Sequence, residues 1–89
     1  MASGKTVPIT AMEFDDRGCE PMLLFWYVSE GETVAEGQDL CEIESAKGVF
    51  VIPAPAAGAV ASILVRETEP VTSGQELGAL RVEVAGGGA

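Results

Sequence analysis

Apolar residues in this chain recur at every second position, in short runs broken by glycine and proline. Cys41 and Ile43 alternate with Glu42 and Glu44, Ile63 and Val65 with Leu64 and Arg66, and Leu80, Val82 and Val84 with Arg81 and Glu83. A period of two is the pattern of a strand with one buried and one wetted face. Leu23 to Val28 can place Leu24, Trp26 and Val28 on one face and Leu23, Phe25 and Tyr27 on the other. Val49 to Ile52 is a β-branched and aromatic run ended by Pro53 and Pro55, which a central strand does not tolerate. Gly31, Gly37, Gly58 and Gly74 punctuate the runs at turn-like spacing, and no useful stretch has a 3.6-residue period. The pattern predicts an all-β fold. About eight short strands form two four-stranded antiparallel sheets packed as a flattened barrel-sandwich.

The chain also repeats itself. Val28 to Ile43 overlays Val65 to Leu80 without a gap at a constant offset of 37, and Val, Glu, Glu, Val, Gly, Gln and Leu recur in order. Two similar halves in one small body imply an internal pseudo-two-fold, with Gly37 and Gly74 in equivalent turns. Residues 6–84 are expected to form the domain. Residues 85–89, with three successive glycines, read as the start of a flexible linker or tail.

Composition narrows the chemistry. Fourteen acidic against five basic residues give a net charge of −9, which disfavours nucleic acid and permits steering toward a basic partner. The absence of histidine removes the commonest general base and zinc ligand, so no acid–base or metal catalysis is expected. Cys19 and Cys41 are too few for a disulfide framework, and reduced thiols are the expectation, although one bridge between them is compatible with the spacing. No apolar run approaches a membrane span, and no intact export or organelle signal is recognisable at the N-terminus.

One position stands apart. Of two lysines, Lys5 lies in the polar N-terminal stretch, while Lys47 falls in Glu44-Ser45-Ala46-Lys47-Gly48 between two β-like runs. Ser45 at the start and Gly48 at the end suit a type I turn, or a three-residue hairpin loop closing on a left-handed glycine, with Lys47 near the tip. A solvated turn lysine accounts for such a residue by itself. A Schiff-base nucleophile would instead need an apolar pocket, the opposite of a hairpin tip. Lys47 also sits at the junction of the two halves, where the repeat offset pairs it with Val84.

These segments resemble the lipoyl domains of 2-oxo acid dehydrogenase complexes, within the biotinyl/lipoyl-attachment family. The resemblance runs through Trp26 to Val34, Gly37 to Lys47, Val51 to Gly58 and Val71 to Leu77, and covers roughly Val7 to Val84. It implies that Lys47 receives lipoic acid through an amide bond. Glu44, Ala46 and Gly48 are then the neighbours read by the lipoate-attachment enzyme, and Gly31 and Gly58 are turn glycines flanking the hairpin. It further implies a non-catalytic, monomeric carrier. Its arm serves a thiamine-diphosphate-dependent 2-oxo acid decarboxylase, an acyltransferase core and a dihydrolipoamide dehydrogenase, in bacterial cytoplasm or mitochondrial matrix. The cofactor carries the group-transfer chemistry, so a domain without histidine fits.

Two departures bear on partner choice. Many family members have Asp before and Ala after the lysine, where this chain has Ala46 and Gly48. The Thr10 to Glu20 segment, whose Phe14 to Gly18 loop is expected beside the hairpin, lacks the usual glycine-rich signature, and the 2-oxo acid stays open. A biotin carrier normally flanks its lysine with methionines, which Ala46 and Gly48 are not. An unmodified structural member of the fold is the other alternative. A glycine-cleavage carrier shares the Glu-Ser-x-Lys motif but has extra terminal structure.

Overall fold

The structure is a computed structural model and describes residues 4–13 and 20–83. Its strands are β1 (Gly4–Thr10), β2 (Met22–Trp26), β3 (Thr33–Val34), β4 (Asp39–Ser45), β5 (Gly48–Pro53), β6 (Gly58–Ile63) and β7 (Glu76–Glu83). They form a four-stranded sheet in the order β1-β7-β6-β3 and a three-stranded sheet in the order β2-β4-β5, all antiparallel. No helix occurs among the described residues. The expected all-β sandwich is present, with one strand fewer than eight. The missing fourth strand of the smaller sheet is reduced to a single bridge, Met22 to Pro70. Pro70 has no N–H to donate, so a ladder cannot run through it.

The pseudo-two-fold is written into the hydrogen bonds. Thr33 pairs with Ala59, and Pro70 bridges Met22, which is the same pairing with the halves exchanged. Gly31 N–H donates to the Val60 carbonyl (2.7 Å), and Thr68 N–H to that of Leu23 (2.8 Å). The recurring polar residues cap equivalent turns. Glu32 accepts from the Ser29 N–H and Glu69 from the Arg66 N–H, while Gln38 accepts from Ala35 and Gln75 from Thr72. Their recurrence is a turn requirement rather than a functional one.

Strand β5 finds its counterpart in β1 by a different shift. Cys41 pairs with Ile52 as Gly78 pairs with Ile9, a displacement of 37 on one strand and 43 on the other. The core is therefore one set of positions used twice. Leu23 matches Val60, Val28 matches Val65, Val34 matches Val71, and Leu40 matches Leu77. Ile43 matches Leu80, Ile52 matches Ile9, and Ala54 matches Ala11. Burying each larger aliphatic side chain contributes on the order of 1.5–3 kcal/mol, so both halves carry comparable shares of the driving force.

The expected faces of the second strand need correction. A register shift between Leu23 and Phe25 turns the strand partway along. Leu23 is fully buried opposite Ile43, and beyond the irregularity Trp26 faces Cys41 and Val28 is buried, while Tyr27 is exposed. A bulge adds one residue and so reverses the alternation that a uniform strand would keep. Cys41 is a free, fully buried thiol. Cys19, residues 14–18, Val84 and the expected linker at 85–89 lie outside the described residues.

Two measurements follow from this framework. Thr68 occupies φ 69°, where its counterpart Gly31 sits at 92°. A β-branched residue in that region costs roughly 1–2 kcal/mol, partly offset because glycine loses more freedom on folding. Thr68→Gly is expected to raise stability by about 0.5–1 kcal/mol in denaturant titration, and Gly31→Thr to lower it by about 1 kcal/mol. A loss from Thr68→Gly would contradict the assignment.

Burial pushes the Cys41 thiol up to about 12. The unfolded chain loses that proton near pH 8.5 and the folded one far later, so stability contributed by the neutral thiol is lost as pH rises through this window. Stability measured against pH between about 9 and 12 is expected to fall more steeply in the wild type than in Cys41→Val. Parallel curves would exclude the buried thiol as the cause.

Candidate functional site: the lysine hairpin

The turn between β4 and β5 is two residues long, Ala46 and Lys47, closed by the Ser45–Gly48 pair. Neither central residue has positive φ, whereas Gly48 lies at 134°. Turns of types I′, II and II′ each need positive φ at a central position, so this geometry suits a type I turn followed by a left-handed glycine. A Cβ at Gly48 would meet nothing within 4 Å, so the backbone angle alone calls for glycine there. Ser45 pins the turn from inside. Its Oγ accepts from the Lys47 N–H (3.2 Å) and donates to the Gly48 carbonyl (3.3 Å). Lys47 is exposed at the tip, with Ala46, Gly48 and Glu44 exposed around it.

The hairpin is the end of the three-stranded sheet. Met22 on β2 pairs with Glu44, which pairs with Val49 on β5. Glu20, Met22, Glu44, Ser45 and Ala46 line a shallow depression immediately beside the tip. Glu44, Ala46 and Gly48 thus lie around Lys47 on one hairpin. In the other sheet, the position equivalent to the Ser45–Gly48 pair is Val82 with Lys5, followed by the Gly4–Glu83 pair, whose two residues no turn connects. A closed turn therefore exists on one sheet only.

Gly31 is a turn glycine as expected, and Gly58 is not. Gly31 is a left-handed turn residue whose N–H donates to the Val60 carbonyl on β6. Gly58 is not a turn glycine at all, being the first residue of β6 and paired with Val34. A Cβ on it would fall 2.4 Å from the Arg81 carbonyl oxygen, so the close approach of β7 excludes any side chain. Both glycines serve the four-stranded sheet. Counting turn-like spacings cannot distinguish a glycine required by φ from one required by proximity.

Beneath the tip, the outer face of the β2-β4-β5 sheet holds an unforeseen cluster. The Tyr27 hydroxyl donates to Glu42 Oε2, and the Tyr27 ring meets Phe25 edge-on at 4.9 Å. The hydrogen bond to Glu42, with smaller contributions from burial and from the charges of Glu42 and Asp39, pushes the phenol up to about 12. Among the described residues no group of histidine, cysteine and carboxylate side chains could hold a metal ion. What the hairpin offers is an outward primary amine on a rigid turn, suited to acylation by an enzyme that can close around it.

A two-sheet body with duplicated halves and a lysine on one inter-strand turn defines a class of small β carrier-like domains. Residues 18–80 match the sequence model of the biotin/lipoyl family, described as "Biotin-requiring enzyme", and the chain belongs to that family. It is similar in structure to the lipoyl domain of the 2-oxoglutarate dehydrogenase complex from Azotobacter vinelandii. That likeness has a TM-score of 0.66 and 30% identity, covering 81% of this chain and 94% of that one. It is 29% identical, over 93% of its length, to the dihydrolipoyllysine-residue succinyltransferase component of the 2-oxoglutarate dehydrogenase complex from Cupriavidus necator. The human mitochondrial counterpart is 39% identical over 63% of the chain. The chain spans 20% of the first of these relatives and 12% of the second.

Proposed function

We propose that this domain carries lipoic acid in amide linkage on Lys47 and shuttles succinyl groups and electrons within a 2-oxoglutarate dehydrogenase complex. The observation that carries the reading is the position of Lys47, exposed at the tip of a two-residue turn that Ser45 and Gly48 hold rigid. The succinyl assignment rests on the names of the relatives. When bound, lipoamide supplies a disulfide that accepts an acyl group together with two electrons.

The residues present suit that group. Attachment needs an amine that an enzyme can reach, and the exposed tip leaves the side chain outside the core. Glu44 sits one turn-flank away on the same hairpin and would orient the attachment enzyme, with the small Ala46 and Gly48 leaving its approach clear. The domain itself works as a carrier and contributes no acid, base or metal to the transfer. Partners would be the attachment enzyme, a thiamine-diphosphate-dependent decarboxylase, the acyltransferase core and dihydrolipoamide dehydrogenase. A glycine-rich tail at 85–89, as the start of a linker, would raise the local concentration of the arm at each of their sites. Biotin is the alternative cofactor of the family, and the absence of methionines beside Lys47 speaks against it.

Intact mass after co-expression with a lipoate ligase tests the attachment. A single lipoyl increment is expected on the wild type and none on Lys47→Arg. An increment that persists in the variant, or a biotin signal on a streptavidin blot, would overturn the proposal.

A further inference from the structure

Each sheet ends in one long free edge, and the internal two-fold makes the two edges equivalent. Strand β1 is last on the larger sheet and β5 last on the smaller one, and Cys41–Ile52 matches Gly78–Ile9. Gly48, Val49, Phe50 and Val51 therefore stand where β1 has Lys5, Thr6, Val7 and Pro8. A strand edge carries unpaired N–H and C=O groups, and lysine and proline are residues that keep another strand from joining it. Strand β1 has both. Strand β5 has neither before Pro53, and no charged side chain from Gly48 to Pro53.

The hairpin fixes which groups face outward. Ser45 and Gly48 flank a two-residue turn and so bond to one another, and along an antiparallel pair bonded positions alternate with unbonded ones. Phe50 and Ile52 then bond to β4, whereas Val49 and Val51 turn their N–H and C=O toward the open edge. Pro8 supports this independently. Its register against β7 runs unbroken from Gly4 to Ile9, which a residue without an N–H allows only if its nitrogen faces outward. Val51 is its counterpart and has the N–H that Pro8 lacks. Among the described residues no backbone group pairs with this edge, and the Val49 and Val51 side chains beside it are 51% and 38% exposed. Leu64 is more exposed (57%), but the Leu77 carbonyl takes its N–H, so it offers apolar surface without an open edge.

We propose that β5 pairs antiparallel with β5 of a second copy of this chain, joining two three-stranded sheets into one of six strands. The strand complements itself in one register. A two-fold axis at Phe50 sets Val49 against Val51 of the partner subunit, and the reverse. Every outward N–H of the two valines then meets an outward carbonyl, giving four hydrogen bonds without calling on Pro53. Facing β-branched side chains add a favourable cross-strand contact. Glu42 and Glu44 lie one strand back on β4, which places the two copies' β4 strands three spacings, about 14 Å, apart. That exceeds the screening length of about 8 Å at physiological salt. A six-residue strand pair is small beside the roughly 1,200 Å² of a stable interface, so the association is weak and reversible. Both Lys47 tips lie beyond the paired strands, at opposite ends, and stay open to attachment.

Sedimentation equilibrium and amide hydrogen exchange of the unmodified wild-type domain, from micromolar to millimolar concentration at low and high salt, test this pairing. The average mass should rise with concentration toward that of a dimer, and more so at high salt, where repulsion between two bodies of charge −9 is screened. Exchange at Val49 and Val51 should slow with concentration, while Phe50 and Ile52, already bonded within the sheet, keep their rates. Val51→Pro installs the residue that β1 tolerates at the equivalent position and should weaken dimerisation at least about tenfold. Val51→Lys keeps the backbone donor but charges the edge, and should weaken it in the same direction. Leu64→Ala should leave it unchanged. A mass that stays monomeric at millimolar concentration overturns the proposal, as does association that both Val51 variants retain at wild-type strength. Slow exchange at Val49 and Val51 that does not vary with concentration also overturns it, because something other than a second copy would then cover the edge.

Discussion

Each half of the chain completes the other's sheet, and everything else in the structure depends on that exchange. Residues 31–34 of the first half pair onto β6, and residues 68–70 of the second pair onto β2, through the same hydrogen bonds in both directions. The inward rows then interlock as one duplicated set, with Leu40 and Leu77 fully buried as counterparts. Neither half has a sheet or a core of its own, so the body should fold as a unit. That rigidity is what a surface hairpin needs if it is to be presented in one orientation.

Symmetry also accounts for there being one presentation site rather than two. The strand pair β4-β5 closes in a turn, whereas its counterpart β7-β1 ends at Gly4 and Glu83. The same comparison identifies residues kept for architecture. Glu32, Glu69, Gln38 and Gln75 recur because each caps a turn. Phe25 and Val49 are matched by Ser62 and Thr6, whereas Tyr27 is matched by Leu64, which is exposed as well.

Much of this was legible in the sequence. Period-two alternation through Cys41–Glu44 and Leu80–Glu83 is a local property, and it sufficed for strands β4 and β7. The offset of 37 showed the repeat because turn caps and core positions must recur together. What stayed hidden depended on long-range contacts. The bulge at Leu24 is set by pairing with β4, and it moved Leu23 to the inside. The match between β5 and β1 runs at a separate shift of 43, and its two repeated residues, Ile9 with Ile52 and Ala11 with Ala54, are too few to betray it. Gly58 reads as a turn glycine until β7 is seen 2.4 Å from where its Cβ would be. At the site, Lys47 and its neighbours were legible because a two-residue turn is local. The Tyr27–Glu42 contact was not, because it joins residues on different strands.

The central claim is that attachment reads the position of the amine on the turn, not merely the presence of a lysine. Ala46→Lys combined with Lys47→Ala moves the amine by one residue on the same hairpin, with composition nearly unchanged. The most direct measurement is the rate at which a lipoate ligase modifies this swapped domain compared with the wild type, each verified as folded by its amide NMR spectrum. A folded swap modified at least about a hundredfold more slowly is the predicted result, since small displacements of a reacting group cost that much. A folded swap lipoylated at the wild-type rate would contradict the account.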